Sequence, residues 1–291
     1  MNWKELYSKH YKILTIIPIV ILLISLGILY SNYRTTGEIV AQDVTLKGGI
    51  TATVTTSQPS PNLEDELKSM LNTDLSVRTL KEFGSNEQIG FIIETPDAAE
   101  SDLRTALEKT LNLKLTDDNF SIELVGKSLG KAFYNQMLVA ILLAFVFIGI
   151  VVVITFRAVV PSVTVIFAAF MDMVTTLAIM TLLGIKLSSS GIAAILTLIV
   201  YSIDTDMLIT TKALKRVDEG TIVDRLASGF KTGMTMTITT IVALTAGYFV
   251  STSIVIKQIF LIIIIGFIVD IVATYLMNAG VLMWWVKRKN G

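Results

Sequence analysis

The chain has 291 residues, 53% of them apolar and only 16% charged, and its 24 basic and 24 acidic side chains cancel to a net charge of zero. A mean hydropathy of +0.68 and a charge content well below the roughly 25% usual for soluble domains place it among membrane proteins. With no cysteine and a single histidine, His10, it excludes disulfides, zinc–thiolate centres, thiol nucleophiles and a three-histidine metal site.

A bilayer core of about 30 Å calls for about 20 apolar residues per spanning helix. The first such run, Ile13–Tyr30, follows basic Lys4, Lys9 and Lys12 and so has the flanks of a signal peptide. Its length, and polar Ser31-Asn32-Tyr33-Arg34 where a small-residue cleavage site would stand, read instead as a retained anchor within residues 1–30. Charge then rises sharply. Ser31–Lys131 holds 10 basic and 16 acidic residues, a net of −6, against 14 and 8 in the rest of the chain, a net of +6.

Residues 31–136 therefore read as a folded α+β domain. Val44–Thr55 alternates like a strand. Asn62, after Pro59 and Pro61, is placed to cap a helix to about Leu71, with Glu64, Asp65 and Glu66 in its favourable first turn. Ser76–Phe83 and Gln88–Glu94 read as strands joined by a Gly84-Ser85-Asn86 turn. Asp97 opens a second helix with Leu103, Ala106, Leu107 and Leu111 at helical spacing, and Phe120–Val125 closes as a strand. The order β-α-β-β-α-β predicts a ferredoxin-like domain.

Five more spans follow within residues 137–285: Met137–Phe156, Val159–Ile185, Gly191–Thr211, Met234–Val250 and Ile259–Trp285, before a tail of 286–291. Short loops keep Lys and Arg on the cytoplasmic side. With the N-terminus inside, twelve basic residues lie on that side and only Lys186 and Lys257 in the short outer loops. Both termini are expected in the cytoplasm, and residues 31–136 outside it.

Four acids lie within the spans: Asp172 and Asp270 near mid-membrane, Asp204 and Asp206 toward the cytoplasmic end of the fourth. Each costs about 2.5–3.5 kcal/mol at mid-helix, and no Lys or Arg lies clearly inside a span to pair with it. The functional reading is a proton or cation relay; the plain one is hydrogen bonding between helices. Asp204 and Asp206 are about 200° apart around a helix, so at most one shares a seam with Asp172. In the fifth span Thr232, Thr235 and Thr239 fall on one face, where threonine most simply bonds its own i−4 carbonyl or a neighbouring helix.

One helix, an external domain and five helices resemble half of a resistance–nodulation–division protein, and more narrowly the SecD/SecF family, in its archaeal-type SecF branch. Val44-Thr45-Leu46-Lys47-Gly48-Gly49-Ile50-Thr51 resembles the double-glycine element after that family's first helix. Phe156-Arg157 before the helix of Asp172 resembles its second-to-third helix passage. Tyr201-Ser202-Ile203-Asp204-Thr205-Asp206 resembles its fourth-helix signature, and Met234-Thr235-Met236-Thr237-Ile238-Thr239-Thr240 its fifth-helix threonine motif. The bacterial signature has Asn-Asp-Thr where Asp204-Thr205-Asp206 stand, which leaves open which aspartate inherits the role.

The resemblance implies a plasma-membrane subunit that pairs with SecD beside the Sec translocon channel and aids outward movement of a translocating polypeptide. It implies ion flow coupled to movement of the external domain, no enzyme activity, no cofactor, no metal and no nucleic-acid partner; membrane lipid surrounds the spans. Asp206, Asp204, Asp172 and Asp270 are the relay candidates, with Thr235, Thr239, Tyr201 and Ser202 in support. Gly48 and Gly49 serve either as a hinge or as a strand-end bulge. Rival readings are an exporter half of the same superfamily and a non-conducting partner of SecD. An intramembrane aspartyl protease would carry a Gly-x-Gly-Asp motif, which the sequence lacks, while an aspartate dyad between the fourth and sixth spans stays geometrically open to it.

Overall fold

The computed structural model describes residues 3–81, 87–251 and 253–290, so the expected Gly84-Ser85-Asn86 turn lies outside the described residues. The chain divides into two compact units.

The smaller unit is Gln42–Leu138 with Leu187–Ser189. It opens with a single helical turn, α1 having ended earlier at Thr36: α2 (Val44–Lys47) precedes β1 (Gly49–Thr55). The expected strand from Val44 is thus a strand only from Gly49. The Asp43 carboxylate accepts the Thr45 N–H at 2.9 Å and caps the turn, while Gly48, at φ +81°, ends it. The sequence continues through α3 (Leu63–Leu71), β2 (Ser76–Lys81), β3 (Gln88–Thr95), α4 (Glu100–Leu111) and β4 (Phe120–Val125).

Asn62 stands at the N-cap of α3 without a side-chain capping bond. Helix α4 starts three residues after the expected Asp97, whose carboxylate pairs with Lys127 instead of capping. The four strands are all antiparallel in the order β2-β3-β1-β4, with Ile50 opposite both Thr95 and Leu124. That is the ferredoxin-like arrangement. The strand alternation sends Ile50, Ala52 and Val54 to the helix-covered face, where they bury against Phe91, Ile93, Leu63, Leu67, Leu103, Leu107 and Leu111.

The larger unit takes in Met1–Ala41, Val139–Lys186 and Ser190–Gly291. Among the described residues six helices are long and apolar enough to cross a membrane. They are α1 (Trp3–Thr36), α5 (Lys127–Phe156), α6 (Val159–Leu182), α7 (Ser189–Lys215), α8 (Ile222–Val250) and α9 (Ile254–Val272), the last running on through a π-helical stretch, Ala273–Asn278, into α10 (Ala279–Asn290). Most are longer than the apolar runs because polar ends extend them. α8 begins twelve residues before the expected Met234, capped by the Thr221 hydroxyl, which accepts the Asp224 N–H at 3.3 Å. α6 starts at Val159, after an Ala158 N-cap, and carries Pro161 in its first turn, where no intrahelical N–H is lost. α6, α7 and the α9–α10 helix bury about half of their apolar stretches within the protein, whereas α5 and α8 bury about a tenth or less and face outward.

A chain of buried carboxyls across three helices

Asp172 on α6, Asp206 on α7 and Asp270 on α9 are each 0% exposed. The Ser202 hydroxyl, one turn before Asp206 on α7, donates to Asp172 Oδ2. Asp270 interacts with both that hydroxyl and the Asp172 carboxyl. The Thr274 hydroxyl lies 2.8 Å from Asp270 Oδ1 and 2.9 Å from Asp206 Oδ1. Asn278 Nδ2 donates to the same Asp206 oxygen at 2.6 Å. The polar groups thus run as one row: Ser202, Asp172, Asp270, Thr274, Asp206, Asn278.

Each carboxyl keeps one oxygen buried and without a hydrogen-bond partner: Asp172 Oδ1, Asp206 Oδ2 and Asp270 Oδ2. No Lys or Arg forms an ion pair with any of them among the described residues. The row is extended rather than convergent. Among the described residues no three acidic, His or Cys side chains come close enough to hold one metal ion.

The other candidates separate cleanly. Asp204 is exposed on the outer surface of α7, on the far side from Asp206, as the 200° offset requires. Tyr201 is 47% exposed and packs edge-on against Phe267 at 5.7 Å, away from the carboxyls. Thr235 and Thr239 are exposed, and their hydroxyls donate to the carbonyls of Lys231 and Thr235, each one turn back, at 2.8 and 2.7 Å. The buried threonine of α8 is Thr237. Gly48 and Gly49 belong to the smaller unit. A Cβ on Gly48 would stand 2.5 Å from the Lys127 Cα, and one on Gly49 2.5 Å from the Thr95 carbonyl oxygen. Positive φ and close backbone approach both call for glycine at these two positions.

Sequence reasoning missed Thr274 and Asn278, although Asp270, Thr274 and Asn278 form an i, i+4, i+8 stripe. A second signal is plainer. Asp172, Asp206 and Asp270 are each followed four residues later by threonine, Thr176, Thr210 and Thr274, whereas Asp204 is followed by Leu208. Thr176 and Thr210 are fully buried, with hydroxyls that make no hydrogen bond, unlike the exposed threonines of α8. The π-helical stretch around Thr274 and Asn278 leaves no mark on hydropathy; such stretches recur at functional sites.

A family model described as protein export membrane protein SecD/SecF, C-terminal, matches residues 106–288. The protein-export membrane protein SecF of Pyrococcus furiosus is 34% identical over 99% of this chain and 95% of its own length. Those of Thermococcus gammatolerans and Methanothermobacter thermautotrophicus are 38% and 37% identical, over 92% and 97% of this chain and 84% and 95% of theirs. The chain belongs to the SecF family. The fold of this SecF-family chain is also that of part of SecDF from Thermus thermophilus, a translocon-associated membrane protein, with a TM-score of 0.74 at 18% identity. SecDF in a super-membrane-facing form gives 0.64 at 17%. The match covers 98% of the SecF-family chain but only 38% and 39% of those longer chains.

Proposed function

We propose that this chain is the SecF half of a SecD–SecF pair that assists outward movement of exported polypeptides beside the Sec channel, and that Asp172, Asp270 and Asp206 are its proton relay. One observation carries the reading: three wholly buried carboxyls from three spanning helices neighbour one another, Asp206 and Asp270 through the Thr274 hydroxyl and Asp172 beside Asp270 and held by Ser202, with no basic partner among the described residues. Three negative charges cannot be kept together in hydrocarbon without neutralisation, at about 2.5–3.5 kcal/mol each before their mutual repulsion. Protons are the neutralising charges that fit a row which does not converge on one point.

In this scheme a proton enters one carboxyl, passes along Thr274, and leaves from another. Each elementary charge crossing 100 mV releases about 2.3 kcal/mol, enough to bias a domain movement of a few kcal/mol. Residues 31–136 lie outside the membrane and meet the passenger chain, both termini are cytoplasmic, and lipid surrounds the five-helix bundle of 137–285 with the first span. The work is mechanical; no covalent chemistry and no cofactor take part. Asp204, facing outward, belongs to the contact with SecD rather than to the relay.

The test is co-reconstitution with SecD and the channel, with export measured against an imposed proton gradient. Asp206→Asn is expected to abolish gradient-driven stimulation while SecD still co-purifies. Undiminished stimulation overturns the relay and leaves a non-conducting subunit; failure of the wild-type chain to retain SecD overturns the pairing.

A further inference from the structure

At the end of the larger unit that carries both chain termini, the start of α1 and α10 enclose a groove of about 350 Å³, lined by Tyr11, Lys12, Thr15, Gly280, Val281 and Trp284. The volume lies within the usual range for small-molecule sites. The two helices meet closely at its floor: a Cβ on Gly280 would stand 2.0 Å from Thr15 Oγ1, whose hydroxyl already donates to the Tyr11 carbonyl at 2.8 Å. Only glycine permits that crossing, and the missing side chain leaves the slot above it.

The mouth of the slot is cationic. Lys287 Nζ stands 4.8 Å from the centre of the Tyr11 ring, and Arg288 Cζ 5.5 Å from that of Trp284, so a cation sits over each of the groove's two aromatic walls. Lys12 lines the groove itself. All three cations are exposed, and none forms an ion pair among the described residues. No acidic residue lines the groove or occurs in α10; on α1 the nearest is Glu5, seven residues and about 10 Å before Lys12. Lys12 immediately precedes one apolar run and Lys287–Lys289 immediately follow another, so the mouth lies at a membrane boundary.

We infer that this groove is a binding site for one anionic phospholipid, whose phosphate is held among Lys12, Lys287 and Arg288 and whose chain lies along Thr15, Gly280 and Val281 between Tyr11 and Trp284. Charge complementarity selects the occupant. A zwitterionic lipid would bring a fourth cation to a mouth that already holds three, and an apolar protein segment would leave those three unpaired. Three basic groups around one phosphate favour an anionic headgroup over a zwitterionic one. The site requires no ion flow, and it stands whether or not the carboxyl row conducts.

Native mass spectrometry of the detergent-purified full chain tests it, by titration with phosphatidylglycerol or phosphatidylcholine of matched chains. Retention of one phosphatidylglycerol, at least about tenfold tighter than phosphatidylcholine, is expected. The triple change K12Q/K287Q/R288Q should erase the preference. So should Val281→Trp, which fills the slot and leaves every charge in place. K109Q/K114Q/K131Q, removing three exposed charges from the smaller unit, should keep it. Equal retention of the two lipids overturns the proposal, as does a preference that survives Val281→Trp, since the charges would then act without the groove. Unchanged lipid retention in Val281→Trp together with loss of a co-purifying subunit would reassign the groove to a protein contact.

Discussion

A hydroxyl carries one proton and can donate it once, and this limits what Thr274 can do between Asp206 and Asp270. Its oxygen is within 2.9 Å of both carboxyls, so one link is a donation from Thr274 and the other is a hydrogen bond only when that carboxyl supplies the proton. Reversing the two links moves a proton from one acid toward the other without moving a helix. Thr274→Val keeps the shape and removes the hydroxyl. It is expected to lower gradient-driven export by about a hundredfold, the lower end of the usual range for a lost proton-transfer group. Thr274→Ser should keep most of the activity, and Thr235→Val and Thr239→Val should be neutral because those hydroxyls bond only their own helix. Equal losses in the valine and serine variants would reduce Thr274 to a packing residue. That the acids were notable could be read from the sequence, since charge in an apolar run stands out. Which of Asp204 and Asp206 turns inward could not, because helical periodicity fixes only their relative angle and the facing helices fix the rest.

Among the elements, long apolar runs and strict alternation were legible, and local caps were not. The six spanning helices and the order of strands and helices in the smaller unit follow from periodicity and turn residues. The helical turn at Val44–Lys47 was hidden because Val44 and Leu46, both buried, mimic the alternation of the strand that follows. Asp43 and Gly48 distinguish the two by capping and by left-handed backbone, which hydropathy does not record. The π-helical stretch escaped for a similar reason, since its i→i+5 bonding changes which residues face the bundle without changing their type. Gly48 also offers a test at this scale. Alanine there meets both a strained φ of +81° and the Lys127 backbone, so Gly48→Ala should destabilise the smaller unit by about 2–4 kcal/mol. Trypsin cleavage at its exposed lysines, such as Lys109 and Lys114, should accelerate at least tenfold. A digestion rate equal to that of the wild type would mean that the backbone gives way easily there, as a hinge would.

For the molecule as a whole, the deciding quantity is where charge lies relative to the membrane. Twelve basic residues against two predict an orientation in which the stretch with a net of −6 lies on the other side from that basic excess. In that orientation the anionic inner leaflet would attract the basic termini and loops, and an acidic domain would not be held back by it. The absence of cysteine makes this directly measurable, because each introduced thiol is the only one in the chain. Asp118→Cys in the loop before β4 and Asp218→Cys between α7 and α8 are both at exposed positions. In intact cells a membrane-impermeant maleimide is expected to label the Asp118 variant and not the Asp218 variant, and lysis should make both reactive. The opposite pattern would invert the protein. It would place the smaller unit on the side where chains start their passage and deprive it of any part in drawing them outward, even with the carboxyl row intact.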